Sequence, residues 1–322
     1  MRNLAVSNRV IDVVILSWNR ALMTTETISN VLAQEDVDLK VWVVDQGSDS
    51  MEVAKLHKAV AGDHRVTISE LGQNLGVAKG RNYGMGLGTG ELIIGIDNDA
   101  VFKDPRTLSK LRRRFERDAN LGVIGFRIDN FYSGNLDIAS WAYPRGLILK
   151  KDQEFTATRF PGAGHAIRRT ALDQTTSYDE RLFFYWEELD LSYQLIDLGY
   201  KILYCPEYVV LHKRSDEKRM NWAEGRFYYL VRNALYLEWK YFRSARRWLV
   251  LALGYLAKGY YNREVKQAGQ GVWDALGMVR KINLRQIRPL SKSARAYIYD
   301  NDLIHRGGTL ARISSEVLER FD

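Results

Sequence analysis

Leu92-Ile-Ile-Gly-Ile-Asp-Asn-Asp99 sets the reading of this chain. An apolar run of five, stopped by polar turn residues, is a buried strand, and this one ends in two carboxylates. Upstream stretches have the same form. Val10-Ile-Asp-Val-Val-Ile-Leu16 runs into Ser17-Trp-Asn-Arg20, and Val41-Trp-Val-Val44 runs into Asp45-Gln-Gly-Ser-Asp49. Val66-Thr-Ile68 is a short third strand. Helices are expected between them over Thr24–Ala33, Met51–Val60 and Val77–Leu87. Alternating strands and helices imply right-handed crossovers and a mainly parallel sheet, an α/β fold. Open sheets of this kind bind ligands beyond the carboxyl ends of their strands. The clusters at 17–20, 45–49 and 97–99 all fall at that edge.

Farther along, Val123–Ile128 reads as a strand and Tyr132–Thr158 as loops with a hairpin. Glu187–Leu198 has helical spacing and is stopped by Gly199. Two short strands are expected around Ile202 and Val209. From Arg214 the texture turns basic and aromatic, with Phe227-Tyr-Tyr, Trp239-Lys-Tyr-Phe242 and Arg246-Arg-Trp248. The expected division is therefore an α/β unit over 1–212, with halves at 1–100 and 101–212, and a mainly helical region over 213–322.

Composition narrows the class. In 322 residues, 46% are hydrophobic, which excludes a chain disordered throughout. The net charge of +8 suits phosphate-bearing ligands or anionic surfaces. A single cysteine, Cys205, precludes an internal disulfide and fits a reducing compartment. Met1 to Asn8 has no signal-peptide core. The longest apolar run, Trp248–Ala257, falls short of the roughly 20 residues a bilayer span needs. These features give the expectation of a cytoplasmic protein, soluble or peripheral.

Four constellations carry chemistry. Asp97 and Asp99, one residue apart, can hold a hard divalent cation, Mg2+ or Mn2+, with positions left for diphosphate oxygens. Gly95 within the strand allows close approach. In Asn74-Leu-Gly-Val-Ala-Lys-Gly-Arg-Asn82, Asn74 and Gly76 form a turn, and the helix that follows carries Arg81, whose guanidinium suits phosphate. The nearby Gly84-Met-Gly-Leu-Gly-Thr-Gly90 is not a dinucleotide fingerprint: its spacing is wrong and it precedes a strand. Glu187-Glu188-Leu-Asp190 opens a helix, where acids are ordinary capping electrostatics, yet a crowded carboxylate beside aromatic residues is also a candidate base. His212 ends a strand and completes a metal shell if it folds back on Asp99.

In this order the motifs resemble family-2 inverting glycosyltransferases of the GT-A fold, including those of cell-surface polysaccharide synthesis and the bacterial rhamnosyltransferase-like members. The resemblance runs from about Val10 to Tyr241 and also takes in Gly162-Ala-Gly-His165. It implies that Ser17, Asn19 and Asp45 hold the nucleobase and ribose of a nucleotide sugar, with Arg20, Asn74, Gly76 and Asn98 in the same site. It implies that Arg81 and Asn82 lie near the diphosphate, that Asp97 touches ribose or metal, and that Asp99 and His212 bind metal. Gly162 to Gly164 would shape the donor and acceptor pocket, and Glu188 would be the base. Two positions depart from the pattern. Glu187-Glu188 stands where the family has Glu-Asp, so Glu187 or Asp190 is an alternative base. Asp45-Gln-Gly-Ser48 stands where many members have Asp-Asn-Gly-Ser.

The implied reaction is a single displacement by an acceptor hydroxyl on a UDP- or dTDP-linked hexose or deoxyhexose. The acceptor would be a glycan or a lipid-linked glycan. The aromatic and basic residues of 213–262 divide between helix packing and a membrane surface on the inner face. The C-terminal helices also offer a route to a homo-oligomer. No nucleic-acid motif is present. A non-catalytic nucleotide- or membrane-binding module and a nucleotidyltransferase of related fold are the other readings.

Overall fold

The computed structural model describes residues 10–213, 225–282 and 288–307. The first half is built as its alternation predicts. Strands β1 (Ile11–Ser17), β2 (Leu39–Asp45), β3 (Val66–Glu70) and β4 (Leu92–Asp97) alternate with helices α1 (Ala21–Leu32), α2 (Ser50–Ala59) and α3 (Gly76–Leu87). β1 pairs in parallel with both β2 and β4, and β2 pairs in parallel with β3. β1 is buried along nearly its whole length, as a central parallel strand covered on both faces should be. The glycine run that closes α3 and leads to β4 is a packing device. A Cβ on Gly84 would strike Val14, and one on Gly88 or Gly90 would overlap the buried Asp12 carboxylate or its backbone.

The second half mixes directions. β5 (Ala100–Phe102), α4 (Thr107–Glu116), β6 (Leu121–Asn130), β7 (Phe155–Ala157), β8 (Gly164–Arg168) and the short α5 (Arg169–Leu172) lead to α6 (Glu187–Asp197) and β9 (Lys201–His212). The sheet order is β3-β2-β1-β4-β8-β6-β9-β5, with β7 also on β9. β8 runs antiparallel to both β4 and β6, so the expected mainly parallel sheet is parallel in its first half and mixed beyond β4.

One local expectation is corrected and another is made specific. The strands expected around Ile202 and Val209 are one strand, β9. Its register against β6 jumps from Cys205, opposite Phe126, to Val209, opposite Arg127. The skipped residues include Pro206, which has no N–H to give a ladder, and this bulge divides one strand into two apparent ones. The hairpin expected within Tyr132–Thr158 is a tight return on the end of β6, where Asp129 bridges Leu136 and the Asn130 amide donates to the Asn135 carbonyl. The rest of the stretch has two short 3-10 turns, at Ile138–Ser140 and Arg145–Lys150, and β7 pairs with β9.

Helices lie on both faces. Ile11, Val13 and Ile15 of β1 share one core with Ile28 and Val31 of α1 and Leu108 and Leu111 of α4. The opposite core joins Val14, Ile93 and Ile167 to Leu191 and Leu195 of α6. Helices α7 (Phe227–Phe242), α8 (Ala245–Tyr261), α9 (Val265–Arg280) and α10 (Lys292–Asn301) follow. Tyr236, Leu237 and Tyr241 of α7 and Ala294 and Ile298 of α10 are part of that second core. The boundary expected at 212 therefore does not separate two cores. A third, small cluster lies between α7, α8 and α9.

Candidate active site

β4 delivers Asp97 to the carboxyl edge of the sheet, and the turn to β5 delivers Asp99. β5 pairs with the end of β9 so that Ala100 lies opposite His212. His212 folds back on Asp99, with its Nε2 3.1 Å from Asp99 Oδ1. One ligand atom from each of Asp97, Asp99 and His212 fits within 4.8 Å of the others. Two carboxylates and an imidazole are a suitable donor set for a divalent cation.

The surroundings balance this charge. Arg20 Nη1 is 2.9 Å from Asp99 Oδ2, and Arg81 Nη2 is 3.1 Å from Asp97 Oδ1. Asp137, in the loop after β6, takes the other face of the imidazole, 3.0 Å from His212 Nδ1. Burial opposes a charged His212, but hydrogen bonds to Asp137 and Asp99 prevail and raise its pKa to about 9. Asp137 is held down to about 2 by the His212 and Ser140 hydrogen bonds, against its burial.

Arg81 is the hub. It is buried, and its Nη2 also donates to the Gly162 carbonyl at 2.8 Å. Gly95 makes this possible, because a Cβ there would collide with the guanidinium and with His165. Glu187 and Glu188, the first residues of α6, lie within the field of both Arg81 and Asp97. Burial raises the proton affinity of both; for Glu187 the Glu188 charge adds to it, and for Glu188 the Arg81 charge offsets part of it. Glu187 is buried and its Oε2 lacks a hydrogen-bond partner, whereas Glu188 is partly exposed and abuts Gly162. Two carboxylates of raised proton affinity, a candidate cation site and a buried guanidinium thus converge on one edge.

Other expected residues are held differently. Asp190 is fully buried, 2.5 Å from Lys240 Nζ and 2.7 Å from the Tyr241 hydroxyl, so it is locked into a structural ion pair and offers no free base. The Asn82 amide is pinned to the backbone of Tyr178, and the buried Ser17 hydroxyl is bonded to Thr24. Asn98 Nδ2 also reaches Thr24. Gly164 faces Phe126, Ile128 and Val210 in the core, so Gly162 is the glycine that adjoins Glu188. Asn74 Oδ1 caps the Gly76 amide, and Gly76, at φ 83°, sits where a Cβ would strike Phe183. Asp45 accepts from the Gly47 and Ser48 amides to close its own turn, while the Asn19 amide donates to the Ser48 hydroxyl and Asn19 Oδ1 accepts from the Asp49 amide.

Residues 12–176 match the family described as glycosyl transferase family 2. The chain belongs to that family. The matched segment of this transferase contains Arg81, Asp97, Asp99 and Gly162, and it ends before Glu187, Glu188 and His212. An N-acetylglucosaminyltransferase of Rhizobium sp. (strain N33) is 22% identical over 243 residues, 67% of this chain and 52% of the relative. The succinoglycan biosynthesis protein ExoO of Rhizobium meliloti is 33% identical over 124 residues, 38% of this chain and 34% of that protein. The transferase therefore spans about a third to a half of these relatives. In fold it is similar to the mannosyltransferase PcManGT of Pyrobaculum calidifontis, solved with GDP-Man and Mn2+. The TM-score is 0.56 at 14% identity, over 96% of this chain and 83% of that one.

Asp137 and Asn233 were invisible to sequence reasoning. Asp137 lies in a loop without periodicity; its one local signal is the cap it makes for Ala139 and Ser140. Asn233 reads as one polar residue in an aromatic helix.

Proposed function

We propose that this transferase moves a hexose or deoxyhexose from a UDP- or dTDP-linked donor to a hydroxyl of a glycan or lipid-linked glycan, with inversion. The observation that carries the reading is the convergence of Glu187 and Glu188 with Asp97, Asp99 and His212 around the buried Arg81. Asp97, Asp99 and His212 would hold Mn2+ or Mg2+, which supplies positive charge to a departing diphosphate. Arg81 stabilises the same charge from the protein side. Glu188 takes the acceptor proton, because it is the exposed member of the pair and is tuned upward by burial. Glu187 lies buried beside it, its proton affinity raised well above the ordinary glutamate range by burial and by the Glu188 charge. Asn19, Arg20, Asp45 and the 74–76 turn form the nucleotide side.

Polysaccharide synthesis is the proposed setting, supported by the likeness to the succinoglycan biosynthesis protein. We place the enzyme on the cytoplasmic leaflet. No described helix is long and apolar enough to cross a membrane. Yet α8 turns Leu249, Val250, Leu253 and Tyr260 outward at helical spacing while its opposite side packs on α7 and α9. Within 245–282 there are seven Lys or Arg and two acids, which suits an anionic headgroup layer. Cations at both ends of α8 would repel in a face-to-face dimer.

The test is transfer and donor hydrolysis across UDP-, dTDP- and GDP-sugars, with and without Mn2+, with product anomers assigned by NMR. Metal-stimulated turnover of a UDP- or dTDP-sugar with inversion is expected. Donor binding without turnover of any sugar would favour the non-catalytic module.

A further inference from the structure

The backbone entering α6 is strained. Phe183, Tyr185 and Trp186 have φ of 54°, 69° and 72°, a region L side chains rarely adopt, and none is glycine. Such conformations persist only where surrounding structure imposes them, and they gather at working sites. Here the strained segment leads directly into Glu187 and Glu188.

The constraint comes from α7. Asn233, fully buried, directs Nδ2 at three carbonyls of this segment: Leu182 at 2.7 Å, Phe184 at 2.8 Å and Tyr185 at 2.9 Å. Its Oδ1 is occupied by Arg232 Nε at 2.8 Å, which fixes the amide orientation. Arg232 also reaches the Arg181 and Leu182 carbonyls, and Trp186 Nε1 donates to the Leu230 carbonyl at 3.0 Å. From the other side, the Val77 amide donates to the Phe183 carbonyl at 2.7 Å. A neutral amide suits this place: it donates to converging carbonyls, whereas a carboxylate of the same shape would repel them.

We propose that Asn233 is a positioning residue for the proton-accepting glutamate: it holds the strained 183–186 segment so that the first turn of α6 sets Glu188 against Gly162. This rests on the reading of Glu188 as the base. Asn233 touches neither substrate nor metal in this scheme and acts through the backbone.

The experiment compares Asn233→Asp, Glu188→Gln and the double variant, measuring kcat, donor affinity by calorimetry without acceptor, and Tm. Displacing a reacting group by about 1 Å can cost on the order of 100-fold, so Asn233→Asp is expected to lower kcat by about that factor. Donor Kd should stay within about twofold on the same argument, since Asn233 bonds to the Leu182, Phe184 and Tyr185 carbonyls and not to Asn19, Arg20, Asp45 or the 74–76 turn. In the Glu188→Gln background, Asn233→Asp should cost no further kcat, because the group it aims is gone. Multiplying losses in the double variant, or full kcat in a folded Asn233→Asp, would overturn the proposal. If Asn233→Asp does not fold, Asn233→Ser takes its place with the same criteria. Activity surviving in Glu188→Gln itself would instead refute the base assignment.

Discussion

Gly162 and Glu188 meet so closely that a Cβ on the glycine would lie 2.5 Å from Glu188 Oε1. Gly162→Ala should therefore displace the carboxylate and lower kcat while leaving Tm nearly unchanged. Glu188→Gln keeps the shape and removes the proposed proton acceptor. Its kcat should fall by about 10²–10⁴-fold, the usual worth of a general base, with donor binding retained. Steady-state kinetics and calorimetry read both, and a Glu188→Gln enzyme with wild-type turnover would deny Glu188 its role.

The pH profile should carry the same signature. A base works deprotonated, so activity rises with pH through its pKa. Burial raises Glu188 above the ordinary glutamate range, only partly offset by Arg81. The acidic limb of kcat/KM should then lie above the roughly 4.3 of a free glutamate, and Arg81→Gln should move it higher still. A limb at or below the free value would contradict this environment.

Asp99 is as buried as His212 among the three prospective metal ligands and pairs with both Arg20 and His212. Asp99→Ala should abolish both the rise in Tm that Mn2+ gives the wild type and the metal stimulation of transfer, and EDTA should mimic it. Thermal shift with a metal titration tests this. An unchanged Mn2+ response would place the cation elsewhere.

Lys240 is a structural cation. It is buried between Asp190 at 2.5 Å and Asp179 at 3.0 Å. Lys240→Met leaves two buried carboxylates without it and should cost about 3–5 kcal/mol, the usual penalty for breaking such a network. Urea unfolding measures it. A loss under about 1 kcal/mol would mean that these acids are well solvated or otherwise paired.

The outer face of α8 makes a separable prediction. Changing Leu249, Val250 and Leu253 together to Glu should abolish sedimentation with phosphatidylglycerol vesicles, yet leave transfer to a water-soluble acceptor intact. Neutral phosphatidylcholine vesicles should bind the wild type more weakly. Equal binding of the triple variant would remove this face from any membrane role.

Much of this was written in local sequence. The first four strands announce themselves because each is a short β-branched run ending in polar turn residues, and Asp97 and Asp99 could be singled out because they close one of them. His212 was reachable only by supposing a fold-back, which the β5–β9 pairing accomplishes. What escaped was set by partners distant in the chain. Asp190 looks like its acidic neighbours until Lys240 is seen beside it, and Asn82 looks phosphate-directed until Tyr178 takes its amide. The β9 bulge disguised one strand as two because register belongs to the pair of strands.

That bulged strand limits how the molecule can be shortened. Among the described residues β5 finds its strand pairing only along the last residues of β9, and β6 has β9 as its outer neighbour. A fragment cut at residue 176, where the family match stops, would keep β1 to β4 but leave β6 with a naked edge and β5 without a strand partner. Catalytic domains exchanged between relatives should accordingly be joined beyond α10, so that sheet, glutamate helix and supporting helices travel as one piece.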